Sequence, residues 1–491
     1  MASSSSPGYL IYDPQTLSFS NIFSILFYPG EFLNYEFVTC NLPDPKFKSF
    51  YYRLMMVVTW IIQKLLLAFG SNLKWVGDKV EYTLNLLWLN GGVLGLFLNY
   101  IRGSLKNPKQ GTANFRSIIS HTDERTNLKE ASSNLGESVT VGTIGMINTL
   151  DLCAIIAKLA YENKAYVENV VSNHWKMHFV EFYDSFNETL QERATQSFIF
   201  CDRQEDAQLI VVAFRGTEPF NPKDWLTDFD ISWFEIRKVG KVHQGFMQAL
   251  GMQDKKVYET GWPKNLSRDE ENRKFAYYAI REKLRALLKH NKNAKILVTG
   301  HSLGGALAIL FPCLLVLHQE DAILNSLTDV YTFGQPRVGD ASFGNYMKKH
   351  FIMNHIRYKR VVYRYDIVPR LPFKEPIINF SHFGGCIYYT SWYNIEVLDK
   401  EPNENYLNIL YFPTMHFHAL LDLLRALTIG ITEGKDFEES WCSILLRIVG
   451  LFIPGAGVAS HSPRDYVNGA RLWKMVTVKV KKISHSGKST S

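Results

Sequence analysis

Residues 296–310, ILVTGHSLGGALAIL, constrain the fold more than any other stretch of this chain. Ile296, Leu297 and Val298 read as a buried strand and Ala306 to Leu310 as the opening of an apolar helix, so Ser302 occupies the turn between them. Gly300-His301-Ser302-Leu303-Gly304 fits the pattern G-x-S-x-G. Glycines two residues either side of the serine remove the Cβ atoms that would block a strained turn, and that turn lifts the hydroxyl clear of the sheet. A glycine-rich turn with an idle serine is the other reading, and the strand before and helix after it count against it.

At 491 residues the chain exceeds a typical single core, so one large catalytic domain with an appended region is expected. Apolar residues at 46% and aromatics at 14% are too abundant for disorder. The net charge of +7 is unevenly placed: Arg471, Lys474, Lys479, Lys481, Lys482 and Lys488 lie near the C-terminus with no acid among them. Such a tail suits an anionic membrane surface or a solvated end; without a nucleic-acid motif, no nucleic-acid partner is expected. Cysteines 40, 153, 201, 313, 386 and 442 have no paired spacing, which argues against a disulfide framework or a zinc site and fits a reducing compartment. No metal or cofactor is expected. The opening MASSSSPGYLIYDP has neither a basic nor an apolar signal region, so secretion is not expected and the sequons at Asn187, Asn265 and Asn379 are silent.

Residues 1–45 show no clear periodicity and are unassigned, whereas 46–110 are apolar in texture. Leu54 to Ile62 is uncharged between Arg53 and Lys64, which suits an interfacial helix shorter than the ~20 residues of a span. Tyr82 to Ile101 reaches spanning length, but Asn85, Asn90, Asn99, Gly91, Gly92 and Gly95 favour a bend or a close helix contact. Joined by a charged link (Lys74, Asp78, Lys79, Glu81), the two segments are expected to enter one lipid monolayer and return. A helix pair buried on the catalytic domain, or a bilayer span, are the alternatives. Residues 111–144 read as a linker with a short helix, 145–475 as the catalytic domain and 476–491 as a basic tail. Inside the domain, a helix at 149–167, hairpin strands at 197–201 and 209–214, helices near 272–290 and 303–317, and strands near 294–299, 329–333 and 361–365 imply an α/β sheet with parallel pairs.

With G-x-S-x-G the acid and then the base follow the serine in the chain. Asp366 stands at a strand end in VVYRYDIVPRLP; its rival Asp340, in GQPRVGD, reads better as a turn or helix cap. His461, in the loop-like GAGVASHSPRDYVNG, is the base candidate ahead of His382, His416 and His418, the last two leading into a helical pattern. His301 sits too close in sequence to turn back on Ser302 and reads as structural support. A serine hydroxyl is a weak nucleophile, so His461 would take its proton and Asp366 would orient and stabilise the imidazolium. Oxyanion donors are expected from the Leu303 N–H and from Thr217, which follows the strand in IVVAFRGTEPF.

VVAFRGT, VHQGF, VTGHSLGGALA, TFGQPRVGD and YRYDIVPRLP, in that order, resemble the fungal-type, or class 3, lipase family of α/β-hydrolases over about residues 145–475. With the uncharged N-terminal region and HSPRDYVNG, the whole chain is similar to plant oil-body triacylglycerol lipases. The resemblance implies an α/β-hydrolase fold with a mostly parallel central sheet, preceded by an N-terminal hydrophobic helical membrane-associating region. It implies serine ester hydrolysis of triacylglycerol and other acylglycerols at the cytosolic face of a lipid-droplet or membrane surface. By position, Ser302 matches the nucleophile, with Gly300, His301 and Gly304 completing its elbow; Asp366 matches the acid, His461 the base, and Thr217 and Leu303 the oxyanion donors. One departure is the separation of Asp366 from His461 by about ninety residues, more than compact fungal enzymes use. The family's lid would fall in EPFNPKDWLTDFDISWF, where Phe220, Trp225, Leu226 and Phe229 present apolar side chains and Trp225 is the lid candidate; an ordinary amphipathic surface helix is the other reading. Phospholipase A1 or galactolipase activity is left open by these motifs, and a catalytically idle lipid-coat protein is disfavoured by the complete Ser/Asp/His set.

Overall fold

The computed structural model describes residues 8–13, 16, 18–27, 38–40, 50–128, 143–187, 190–251, 263–266, 273–372, 379–402, 412–433, 436–452 and 456–472. The expected basic tail at 476–491 lies outside the described residues.

Short strands β1 (Tyr9–Tyr12) and β2 (Val38–Cys40) pair antiparallel ahead of a 40-residue helix, α1 (Phe50–Leu89), and a second helix, α2 (Gly92–Ile101). The expected monolayer hairpin with a charged link is corrected here, because Lys74, Asp78, Lys79 and Glu81 lie inside one continuous helix. Lys74, Asp78 and Lys79 are exposed, with Lys79 over the Trp75 ring at 5.9 Å, while Glu81 is half-buried, accepts the Ile118 N–H at 3.1 Å and has its carboxyl pushed up to about 7 by burial. The chain turns instead at Gly91 and Gly92, whose φ values of 78° and 83° favour glycine and stop the helix. Asn90 secures the turn, donating to the Lys106 carbonyl and accepting from the Asn99 amide.

One face of α1 packs on the catalytic domain. Gln63 donates to the Phe229 carbonyl at 2.8 Å, while Cβ atoms at Gly70 and Gly77 would stand 2.9 Å from Pro222 and 2.4 Å from Phe220. These positions recur every seven residues, two helical turns, so they share a face. Elsewhere α1 exposes Phe69, Trp75 and Val76, and α2 buries no residue at all. By length and composition Met56–Leu89 could cross a membrane.

The expected linker is also corrected over 112–128, which belongs to the catalytic domain. Helix α3 (Ile118–Thr122) is capped by Ser117, whose N–H reaches Glu162 at 2.9 Å, and Asp123 is buried against Arg125 and Lys158 at 2.7 and 3.2 Å. The polar residues that suggested a linker are thus internal ion partners. The helix expected at 149–167 divides into α4 (Thr143–Leu159) and a short helix at Lys164–Asn169, because the Asn163 side chain accepts the Tyr166 N–H and starts a new helix there.

The central sheet contains β3 (His178–Asn187), β4 (Glu192–Cys201) and β5 (Leu209–Phe214). After helix α5 (Pro222–Asp228), strands β6 (Trp233–Ile236) and β7 (Gly240–His243) join β1 and β2 in a separate four-stranded antiparallel sheet. The main sheet resumes with helix α6 (Ala276–His290), β8 (Lys295–His301), helix α7 (Leu303–Leu317), β9 (Leu327–Phe333), helix α8 (Ala341–Met353), β10 (Arg357–Tyr363), β11 (Cys386–Tyr389) and β12 (Ile395–Leu398). Its order is β12-β11-β10-β9-β8-β5-β4-β3, with β5, β8, β9, β10 and β11 mutually parallel and antiparallel strands at both edges. This is the α/β-hydrolase arrangement with a mostly parallel sheet.

Strand alternation divides the core: Ile210, Val212, Phe214, Ile296 and Val298 pack on the α6–α7 face, and Leu209, Val211, Ala213 and Leu297 on the α4 face. After β12 come helices α9 (Phe412–Glu433) and α10 (Trp441–Phe452), then α11 (Pro463–Leu472) packed against α4. The sheet carries its reacting loops at the C-terminal ends of parallel strands, where such folds hold their sites.

Candidate active site

Ser302 sits where β8 becomes α7, with φ 59° and ψ −132°. That backbone costs an ordinary residue about 1–3 kcal/mol. It is retained because the surroundings fix it: the Ser302 N–H donates to the Phe333 carbonyl at 2.9 Å, and the strand and helix meet without intervening side chains. A Cβ at Gly300 would lie 2.2 Å from the Gly304 carbonyl oxygen, and one at Gly304 would lie 2.2 Å from that of Phe214. Any side chain at either position would force the elbow apart.

Three sequence-selected residues meet at the elbow. His461 Nε2 is 2.7 Å from Ser302 Oγ, and His461 Nδ1 is 2.7 Å from Asp366 Oδ2. A carboxylate accepts, so Nδ1 carries the proton toward Asp366 and Nε2 is left to receive the serine hydroxyl. Asp366 follows a turn closed by its own N–H on the Tyr363 carbonyl, just past β10. Its Oδ1 accepts the Val368 N–H at 2.9 Å, and Arg370 clamps its main-chain carbonyl. His461 precedes α11, whose first residue, Pro463, starts the helix without requiring an N–H partner.

The rival candidates lie elsewhere. Asp340 caps α8 by accepting the Phe343 N–H at 2.9 Å, His382 donates to the Pro369 carbonyl, and His418 lies against the Tyr365 ring. His416 is on α9.

His301 turns away from Ser302: Nδ1 is 2.8 Å from Tyr161 Oη, and its ring faces that of His461 at 4.5 Å. Burial holds the His301 imidazole well below the usual histidine range, and His461 reinforces the shift. It is therefore a neutral surface against which His461 can become charged.

Two contributors escaped the sequence reading. Tyr466 donates its hydroxyl to Asp366 Oδ2 at 2.5 Å; burial and that carboxylate push the phenol well above its usual range, so it stays protonated. The signal was the spacing of Tyr466 from His461, which puts Tyr466 in the first turn of the helix that His461 precedes, but nothing local reveals Asp366 across the gap. Gly334, with φ +57°, is the second: a Cβ there would come within 2.9 Å of Asp366 Oδ2 and of the His461 ring.

The loop after β5 reaches the same elbow. A Cβ at Gly216 would strike Tyr161 Oη and the His301 carbonyl, so the chain passes directly over the turn before reaching Thr217. Arg215 braces this loop by donating to the Ala194 carbonyl at 2.9 Å and pairing with Glu218. Leu303, first in α7, has an N–H in the turn where a helix supplies no carbonyl partner. Beside Thr217, His301 and His461 opens a mainly apolar cavity of about 340 Å³, also bordered by Phe220, Trp225, Ile119 and Leu446. Trp225, on α5, donates its indole N–H to the Pro219 carbonyl.

Gly334→Ala should reduce kcat on a soluble ester by about a hundredfold, because displacing a reacting pair by ~1 Å costs on that order. Tyr466→Phe, which removes one charge-assisted bond, should cost about tenfold. Steady-state kinetics on p-nitrophenyl butyrate, with thermal melts to confirm folding, checks both; wild-type kcat in the two variants would contradict the geometry.

The family model "Lipase (class 3)" matches residues 211–375, a stretch that holds Thr217, Ser302, Leu303 and Asp366 and ends before His461. Triacylglycerol lipase OBL1 of Nicotiana tabacum is 42% identical over 482 residues, covering 86% of this chain and 84% of its own length. Triacylglycerol lipase OBL1 of Arabidopsis thaliana is 42% identical over 442 residues, covering 86% and 85%. A lipase of Rhizomucor miehei is 30% identical over 233 residues, covering 42% of this chain and 55% of its own. With likeness sustained along most of two plant relatives at 42% identity, and the family model matching the stretch that holds Ser302 and Asp366, the chain belongs to the class 3 lipase family.

Proposed function

We propose that this lipase hydrolyses the acyl esters of triacylglycerol and diacylglycerol, using Ser302 as nucleophile, His461 as general base and Asp366 as its orienting acid. The unbroken hydrogen-bonded chain Asp366–His461–Ser302 opening into an apolar cavity carries the reading. As Ser302 Oγ attacks the ester carbonyl, its proton passes to His461 Nε2 and the imidazolium is stabilised by Asp366. The oxyanion is received by the Leu303 N–H and by Thr217. Collapse transfers the proton from His461 to the departing glycerol oxygen and leaves an acyl-Ser302 ester. Water, deprotonated by His461, then releases the fatty acid. The neutral His301 ring keeps a second positive charge away from His461 at each transfer.

The choice of acylglycerol rests on the two plant relatives, which bear the name triacylglycerol lipase. Ser302→Ala, Asp366→Asn and His461→Ala should each lower the rate on emulsified triacylglycerol by at least about 10³-fold, to similar residual levels, because a triad acts as a unit. Parallel assays on triacylglycerol, diacylglycerol and phosphatidylcholine decide the head group. Faster release from phosphatidylcholine would make the enzyme a phospholipase, and a rate that survives Ser302→Ala would move the nucleophile elsewhere.

The second part of the proposal places the enzyme on the cytosolic face of a lipid droplet, held by α1 and α2, with α5 acting as a lid. Val93, Leu94, Phe97, Tyr100 and Ile101 are all well exposed on α2, an apolar surface too large to leave in water without a partner. A droplet has one monolayer, which suits an apolar helix lying on the surface. Phe97→Glu with Leu94→Glu in the full chain should move the protein from the floating to the soluble fraction in droplet flotation, with p-nitrophenyl butyrate hydrolysis unchanged. Undiminished flotation would remove α2 from the contact.

A further inference from the structure

The cavity beside His461 and Thr217 has a wall that neither the elbow nor α5 supplies. It comes from α10, through Leu446, Val449 and Gly450. Those positions fall at i, i+3 and i+4 and therefore share one face of the helix. This helix lies in the long stretch between Asp366 and His461, the same stretch that separates the chain from the compact fungal pattern.

Buried charge fixes α10 beside the base. On its neighbouring face, Arg447 donates to Glu439 Oε1 at 2.9 Å and to Asp465 Oδ1 at 2.7 Å. Arg464 pairs with the same two carboxylates, at 2.7 and 2.9 Å. Asp465 is four residues beyond His461, and the cations around it hold its carboxyl well below the usual range. Removing one partner from such a group leaves an uncompensated buried charge, so the register between α10 and the His461 loop is tightly set. Arg464 also borders the cavity, but its charge is already engaged, and Ile118, Ile119, Pro219, Phe220 and Trp225 make the rest of the wall largely apolar, with Thr122 and Tyr161 among its polar members. A space of this size with apolar walls and neutralised charge suits a hydrocarbon chain.

We infer that α10 forms the acyl-chain site: Leu446 and Val449 contact the fatty acyl chain of the ester at Ser302, and their bulk determines which chain lengths are cleaved fastest. The inference rests on the reading of Ser302 as an ester-cleaving nucleophile. Binding along the remote part of a chain is expressed in kcat/KM, so narrowing the cavity penalises long esters and spares short ones.

The test uses full-length Leu446→Trp and Val449→Trp, with Leu445→Trp as control. Leu446 and Val449 are about half-exposed and tolerate added bulk, and Leu445 is exposed one position round the helix, outside the cavity lining. kcat/KM is measured on p-nitrophenyl butyrate, octanoate, laurate and palmitate. The palmitate-to-butyrate ratio should fall by about tenfold or more in both cavity variants and stay near wild type in the control. Butyrate hydrolysis retained in the Leu445→Trp control, with thermal melts of all three variants, reports an intact fold, and the palmitate-to-butyrate ratio is read within each variant. Equal losses along the series in both cavity variants, an unchanged ratio, or the same shift in the control would overturn the inference. Those outcomes leave the serine mechanism standing, whereas ester hydrolysis that survives Ser302→Ala would remove the mechanism itself.

Discussion

The site depends on a close approach of backbone to backbone at the end of β8. Ser302 holds its strained conformation because Gly300 and Gly304 allow α7 to press on the carbonyl oxygens of the elbow and of Phe214. The energy of that strain is offset by packing on both sheet faces, where Val298 and Leu297 anchor the strand in opposite cores. From this fixed point the other groups need only be delivered: Asp366 by the end of β10, His461 by the start of α11, Thr217 by the loop after β5. Gly334 and Gly216 repeat the device on a smaller scale, each leaving space where a methyl group would strike a reacting or supporting side chain.

Most of this was legible where the signal was local. Strand, serine and helix at 296–317 were readable because a buried parallel strand, a glycine-bounded turn and an apolar helix are each written in consecutive residues. Asp366 was legible from a strand ending at a proline, and His461 from a loop rich in small residues. The places of Tyr466, Gly334 and Leu446 beside these groups were not, since each is set by a neighbour far along the chain. The hairpin expected at 50–101 failed for a related reason. Hydropathy registers the charges at 74–81 as a break, yet a helix carries charge on its exposed face without interruption, and only Gly91 and Gly92 alter the backbone. Likewise the polar stretch around Asp123 resembled a linker until its buried cations were in place.

The position of α1 joins two features the sequence presented separately. Gly77 and Gly70 seat Phe220 and Pro222, and Gln63 holds the Phe229 carbonyl, so the lid candidate α5 rests along the helix whose other face is exposed and apolar. Phe229, which accepts the Gln63 bond, and Phe220, which borders the cavity, flank α5 on its two sides. The segment that borders the cavity thus rests directly on α1. On the opposite rim α10 is locked to the His461 loop by buried ion pairs, so the cavity has one wall tied to the lid region and one tied to the base.

The most direct test of the central claim, that Ser302 reacts through His461, is covalent labelling of the full chain with a p-nitrophenyl alkylphosphonate followed by peptide mass mapping. A serine activated by a paired histidine attacks phosphorus, expels p-nitrophenol and retains the phosphonyl group, whereas an ordinary serine does not. The expected result is a single label on Ser302, lost in His461→Ala. A label on another residue, or undiminished labelling of Ser302 without His461, would contradict it.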